Sequence, residues 1–172
     1  MKSAGWFVAL VVWILFVPAG AAGGDLTLFG GFQNPRNLTD QGSPVETSTF
    51  GVFGVRYSNS RSFAHEETIA FAPKYLDSRS KALILNSNVL LQGPPNTVRP
   101  YLTFGLGTVM TFGQGLGDIG TKFAINYGLG SKFLGGRSPI GARIDYRRYV
   151  IPGVLSQTLK ASEISFGVVF SN

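Results

Sequence analysis

The sequence has no cysteine and only one histidine, His65. Without cysteine there is no disulfide framework, so other forces must hold the fold of an exported chain. One imidazole and no thiolate leave only scattered carboxylates, so no metal and no cofactor are expected. Charge is also scarce. Asp, Glu, Lys and Arg make up 14% of the chain, against roughly 25% in soluble domains, and little of the surface is therefore built for water. The net charge of +6 comes from basic residues scattered at alternate positions or in loops, with no block of Lys and Arg. That pattern gives no reason to expect a nucleic-acid partner, and the sign suits anionic lipid head groups better. After residue 22 no segment carries a capped, sustained 3.6-residue apolar period, which excludes a helical bundle.

Lys2, the apolar run 5–17 and the small residues Ala19-Gly20-Ala21-Ala22 together have the form of a cleavable secretory signal over residues 1–22. Residues 23–172 are then one domain, sized for a single core. Eight strand-like runs follow: 25–34, 45–57, 62–72, 81–92, 98–111, 121–134, 139–149 and 159–170. The connections after the second, fourth and sixth are short and rich in turn residues. Those after the first, third, fifth and seventh are longer: loops 35–45, 73–80, 112–120 and 150–158. This alternation predicts an all-β, eight-stranded antiparallel up-and-down barrel with both termini at the short-turn end. Strands of ten or so residues are long enough to cross a membrane when tilted, so a transmembrane β-barrel is expected.

Parity along the strands separates two faces. One collects Leu83, Leu85, Val89 and Leu91, then Leu102, Phe104 and Leu106, then Phe123, Tyr127, Leu129 and Phe133, and finally Ile164, Phe166, Val168 and Phe170. The other mixes Gly, Ala and Asn with a few opposed charges. In the stretch IGARIDYRRY, Arg143, Asp145 and Arg147 share that second face, with Glu163 on the neighbouring strand and Glu66, Lys122 and Lys132 as further members. Buried charges survive only when paired and hydrogen-bonded, and an eight-stranded barrel is just wide enough for its side chains to fill. These residues are therefore read as a polar network inside the barrel that plugs it, in preference to an ion pathway, with the glycines leaving room for the long cationic side chains. Strand two gives no clear register: Phe50 and Val52 share one face, and Phe53, Val55 and Tyr57 the other. A soluble barrel with the bulky face turned inward would need a charged, glycine-poor exterior, which the strands lack.

The signal, the eight strands, NSNVLLQGPP followed by VRPYLTFGLG, and GARIDYRRY resemble the small outer-membrane β-barrel domain family, with relatives such as the OmpA transmembrane domain, OmpX and OmpW. The resemblance covers nearly all of residues 24–172. It implies a cell outer-membrane location and a monomer surrounded by outer-membrane lipids and lipopolysaccharide. It also implies insertion by the barrel-assembly machinery through a C-terminal signal matched by Ser165, Gly167 and Phe170, although Ser171 and Asn172 follow the aromatic residue. The peptidoglycan-binding domain of OmpA-type proteins has no counterpart, so wall anchoring is not expected. A structural or surface-interaction role is expected, with passage or binding of a small apolar molecule, as in OmpW-like members, as the alternative.

Near the outer end of strand seven, Tyr146, Arg148 and Tyr149 suit an interfacial girdle with possible lipid head-group contact. Ser62, His65, Glu66 and Glu67 raise the possibility of a lipid hydrolase. Alternation, however, puts Ser62 on the opposite face from His65 and Glu67, so no catalytic residue is assigned and no enzyme is expected. Residues 115–120 match G-x-G-x-x-G but precede a strand rather than a helix, which removes the dinucleotide reading. Asn37-Leu38-Thr39 is read as an ordinary loop.

Overall fold

The computed structural model describes residues 23–36, 39–40, 43–44, 49–114, 119–135 and 138–172. The segment read as a signal, the sequon Asn37-Leu38-Thr39 except Thr39, and residues 115–118 of the glycine motif lie outside them. Eight strands form a closed barrel: β1 Gly24–Arg36, β2 Phe50–Asn59, β3 Phe63–Ala72, β4 Ser80–Gln92, β5 Val98–Gly113, β6 Thr121–Leu134, β7 Ile140–Val154 and β8 Gln157–Ser171. Each pairs antiparallel with its neighbours in sequence, and β1 closes on β8. A two-residue ladder, Thr39–Asp40 with Ser43–Pro44, stands apart in the first loop.

Register fixes the shape. Stepping round the wall from Leu26 through Tyr57, Glu67, Ser87, Leu106, Ile125, Val150 and Lys160 returns to β1 at Arg36, ten residues further on (36 − 26). With eight strands this stagger tilts them by about 40°, in the usual range for barrels. On β6 the outward Phe123 and Phe133 then stand about 25 Å apart along the barrel axis, the height of the apolar band of outer-membrane barrels. The outer wall is predominantly apolar in that band, where Phe32, Phe63, Leu102, Phe104 and Phe166 are each more than half exposed, with His65, Glu67, Ser87 and Arg148 as polar exceptions. Among the described residues no helix is long and apolar enough to cross a membrane.

Gly23 and Asn172 sit at the short-turn end. Ser60 N–H donates to Gly23 O, Asn172 N–H to Gly24 O, and Ser171 N–H to Pro139 O. The far end departs from the sequence reading in one place. Residues 150–158 are not a long loop, because β7 and β8 run on to a two-residue turn at Leu155 and Ser156. Both of these have positive φ (47° and 63°), the conformation whose twist matches a hairpin. Gln157 pairs with Val154 and Thr158 with Pro152. Gly153 is thus the extra residue of a bulge, and its φ of 75° is one that glycine tolerates. Proline and glycine here mark an irregular strand end rather than a loop.

The connection 73–79 turns inward instead of outward. Asp77 Oδ1 accepts from the backbone N–H groups of Arg79 and Ser80 at 2.7 and 2.8 Å, and this turn drops Tyr75 and Leu76 into the mouth of the barrel, where both are buried. The Tyr75 ring meets Phe50 edge-on at 4.9 Å. Burial pushes its phenol above its ordinary pKa, so it stays neutral. Beneath this cap Phe29, Val52, Ile84, Val109, Tyr149, Ile151 and Leu159 complete an apolar core filling the loop-end half of the interior.

Candidate functional site: the interior ion cluster

Below the apolar core the inward positions turn ionic, as strand parity dictates. The centre is Asp145 on β7, flanked two residues away on each side by Arg143 and Arg147. Arg143 grips Asp145 with Nε and Nη2, both at 2.9 Å, and reaches Glu66 on β3 with Nη1 at 2.6 Å. Arg147 donates Nη2 to Glu66 at 2.6 Å and to Asp145 at 3.1 Å. Arg56 on β2 bridges to Asp145 at 2.9 Å and to Glu163 on β8 at 2.6 Å, with its guanidinium 3.6 Å above the Phe29 ring. Tyr101 on β5 donates its hydroxyl to Asp145 at 2.5 Å and accepts from Arg143 Nε at 2.7 Å. Gln33 on β1 and Ser165 on β8 donate to the Glu163 carboxylate at 2.8 and 3.0 Å.

Three guanidinium groups thus meet three carboxylates, all with side chains no more than 1% exposed. The cluster is neutral as a whole, which is the condition for burying six charges. It joins side chains from β1, β2, β3, β5, β7 and β8, and Asn88 of β4 donates to Glu66 at 3.4 Å. A separate pair lies nearer the termini, where Lys132 Nζ donates to Asp25 at 2.6 Å and to Ser58 at 3.0 Å. Opposite the cluster, β4, β5 and β6 present amides, hydroxyls and glycine. Asn86, Thr103 and Asn126 are buried there with side-chain atoms that find no protein partner, a lining chemically suited to ordered water. Glycine is required where strands crowd the cluster: a Cβ at Gly130 would run into the Tyr101 hydroxyl and ring.

Of the residues singled out from sequence, Glu66, Arg143, Asp145, Arg147 and Glu163 come together in one cluster, while Lys132 belongs to the Asp25 pair. Lys122 shares the inward parity but lies partly exposed at the loop end, outside the cluster. Ser165 and Gly167 face inward, Ser165 as a member of the network, and Phe170 faces outward. Tyr146 and Arg148 face outward as expected of lipid contacts. Tyr149 does not: it is 2% exposed and packs in the interior apolar core. The reason is parity, since the odd positions of β7 up to Ile151 point inward, and the lipid-contact assignment for Tyr149 is therefore withdrawn. Arg56, Tyr101, Asp25 and Gln33 were missed by the sequence reading.

His65 lies on the outer wall near the turn end, with Glu67 at 2.5 Å from its Nε2. The serine beside them is Ser87, from β4, rather than Ser62. Its Oγ lies 3.0 Å from Glu67 and 3.4 Å from the same Nε2. Serine and carboxylate thus address a single imidazole nitrogen, whereas a relay needs one on each.

No family model matches the chain, and no curated protein matches it in sequence. Solved structures do match. Neisserial surface protein A aligns over 87% of this chain and 97% of its own at a TM-score of 0.67, with 12% identity. The outer membrane enzyme PagL aligns over 83% and 97% at 0.54 and 12% identity. The N-terminal β-barrel domain of Pseudomonas aeruginosa OprF aligns over 88% and 99% at 0.53 and 14% identity. The fold is that of the small eight-stranded outer-membrane barrels. At this identity the likeness fixes architecture and leaves activity open, since these neighbours include an enzyme alongside a surface protein.

Proposed function

We propose that the chain is an integral outer-membrane protein, exported by its N-terminal signal, whose barrel is closed to ions and whose role is structural or interactive at the loop end. The observation that carries this reading is the opposition of the two faces. An apolar band about 25 Å tall meets lipid, while the interior is occupied by the Tyr75–Leu76 cap and a charge-balanced ion cluster. A charge-balanced cluster in which every carboxylate is paired offers a passing ion no attractive site, and displacing it would leave buried charges unpaired. The role is non-catalytic, because the one histidine lacks relay geometry. Outer-membrane lipids surround the protein, and it acts as a monomer.

Two measurements test this. Membrane-fraction protein run on a detergent gel, boiled against unboiled, is expected to shift in apparent size. A soluble periplasmic protein without a shift would overturn the membrane reading. Purified protein in planar bilayers is expected to show no steady single-channel conductance, and reproducible unitary steps would overturn the plug.

A further inference from the structure

The outward faces of β7, β8 and β1 end, toward the loops, in a strip of cations. Arg36 and Lys160 are register partners across the β1–β8 seam, and both are exposed. One rung lower, Arg148 pairs with Ser162 on one side and with Tyr127 on the other, and Asn34 lies opposite Ser162. Below the strip the same faces are apolar, with Phe32, Ile164, Phe166 and Tyr146. The outward positions of these three strands include no acidic residue.

This arrangement is costly without an anion. Like charges directly opposite on one sheet face repel, and an arginine inside the lipid-facing band is unfavourable unless its head group reaches a polar partner. Three cations over three adjacent strands, with hydroxyl and amide groups between them, match a surface carrying more than one phosphate, and guanidinium binds phosphate with paired N–H groups. The level matches too, since Arg36 and Lys160 top the apolar band where head groups begin and Arg148 lies one rung below them, within snorkelling reach of that level. We propose that Arg36, Arg148 and Lys160 form a binding site for the phosphate groups of a phosphorylated glycolipid in the leaflet at the loop end. The inference rests on the outer-membrane reading above.

The test uses the full-length folded protein in detergent, with bisphosphorylated lipid A as probe and native mass spectrometry to read retained lipid. The triple variant Arg36→Ala, Arg148→Ala, Lys160→Ala is expected to lose affinity about a hundredfold, on the order of fivefold per cation. Lys81→Ala, an exposed cation at the same end on β4, leaves it unchanged. A heat-modifiable gel shift confirms that each variant is folded. Equal retention by the triple variant, or equal retention of dephosphorylated lipid A, overturns the proposal. Equal retention of phosphatidylglycerol would make the strip a general anionic surface, and displacement by millimolar inorganic phosphate would make it a free-phosphate site; either result also overturns it. Orientation is read separately by introducing Lys74→Cys, in a chain with no other cysteine, and labelling intact cells with an impermeant maleimide. Labelling only after lysis would sink the outer-membrane orientation, while the detergent result would still decide the phosphate site.

Discussion

Replacing Arg143 with methionine removes one positive charge from the interior while keeping most of the volume. The side chain makes two bonds to Asp145, one to Glu66 and one to Tyr101. After the change Glu66 keeps Arg147, and Asp145 keeps Arg56, Arg147 and Tyr101. Every partner therefore remains bonded, but three carboxylates face two guanidinium groups and the cluster carries an uncompensated charge. Breaking a buried pair in this way costs about 3–5 kcal/mol, against about 0–1 kcal/mol for an exposed one. Urea unfolding in phospholipid vesicles, read by the heat-modifiable gel shift, measures the difference. Adding Glu66→Gln restores the balance, and the double variant is expected to be at least about 1–2 kcal/mol more stable than the sum of the two singles predicts. An Arg143→Met protein within about 1 kcal/mol of the parent, with strict additivity in the double, would refute the reasoning. It would mean that the cluster is hydrated as freely as a surface.

The Arg143→Ala variant, which also removes volume, is expected to raise any leak current in planar bilayers, and an unchanged current would count against the plug. Gly130→Val should destabilise strongly by driving a side chain into Tyr101, whereas Gly30→Ala should be close to neutral, since nothing lies within 4 Å of the added atom; equal unfolding midpoints would show that Tyr101 is not held in place. Leu76→Ala should cost about 2–5 kcal/mol and let a small hydrophilic quencher reach the loop-end tyrosines, so unchanged quenching would mean the cap does not seal that end. His65→Leu with Glu67→Leu should stabilise the barrel in vesicles by on the order of 1 kcal/mol if acyl chains alone meet that wall. A loss of stability would point to a lateral partner.

The barrel was legible because its two faces differ in kind. On β4 to β8, a period of two sorts bulky apolar residues from glycine, amides and charge, and that sorting placed Arg143, Asp145, Arg147 and Glu163 on one side before any pairing was known. On β2 the inward row reads Phe50, Val52, Gly54, Arg56, Ser58, because the strand passes from the apolar cap region into the ionic layer. Its upper half looks outward-facing by composition, so the register stayed open and Arg56 went unseen. Carrying the parity of Phe50 and Val52 four residues further, past Gly54, would have found it. The same rule applied to Tyr149 would have kept it inside, but an aromatic near a strand end reads as a girdle residue. Ser87 came to His65 from another strand, and cross-strand register is not written in either segment alone. Likewise Pro152 and Gly153 have turn chemistry, although the turn itself falls at Leu155 and Ser156.

The ion cluster joins residues far apart along the chain: Gln33 with Glu163, Arg56 with Asp145, and Glu66 with Arg143. Arg56 and Glu66 stand on one side of the β1–β8 seam and Arg143, Asp145, Arg147 and Glu163 on the other, so a half-built sheet leaves Arg56 and Glu66 without the ionic partners they meet across it. Partial barrels are therefore poorly tolerated in a lipid medium, and closure becomes an all-or-none event in which the seam and the salt links form together. The chain's two ends are thereby coupled, and a truncation that removes β8 would take Glu163 and Ser165 away from Arg56 and leave it, among the described residues, Asp145 alone.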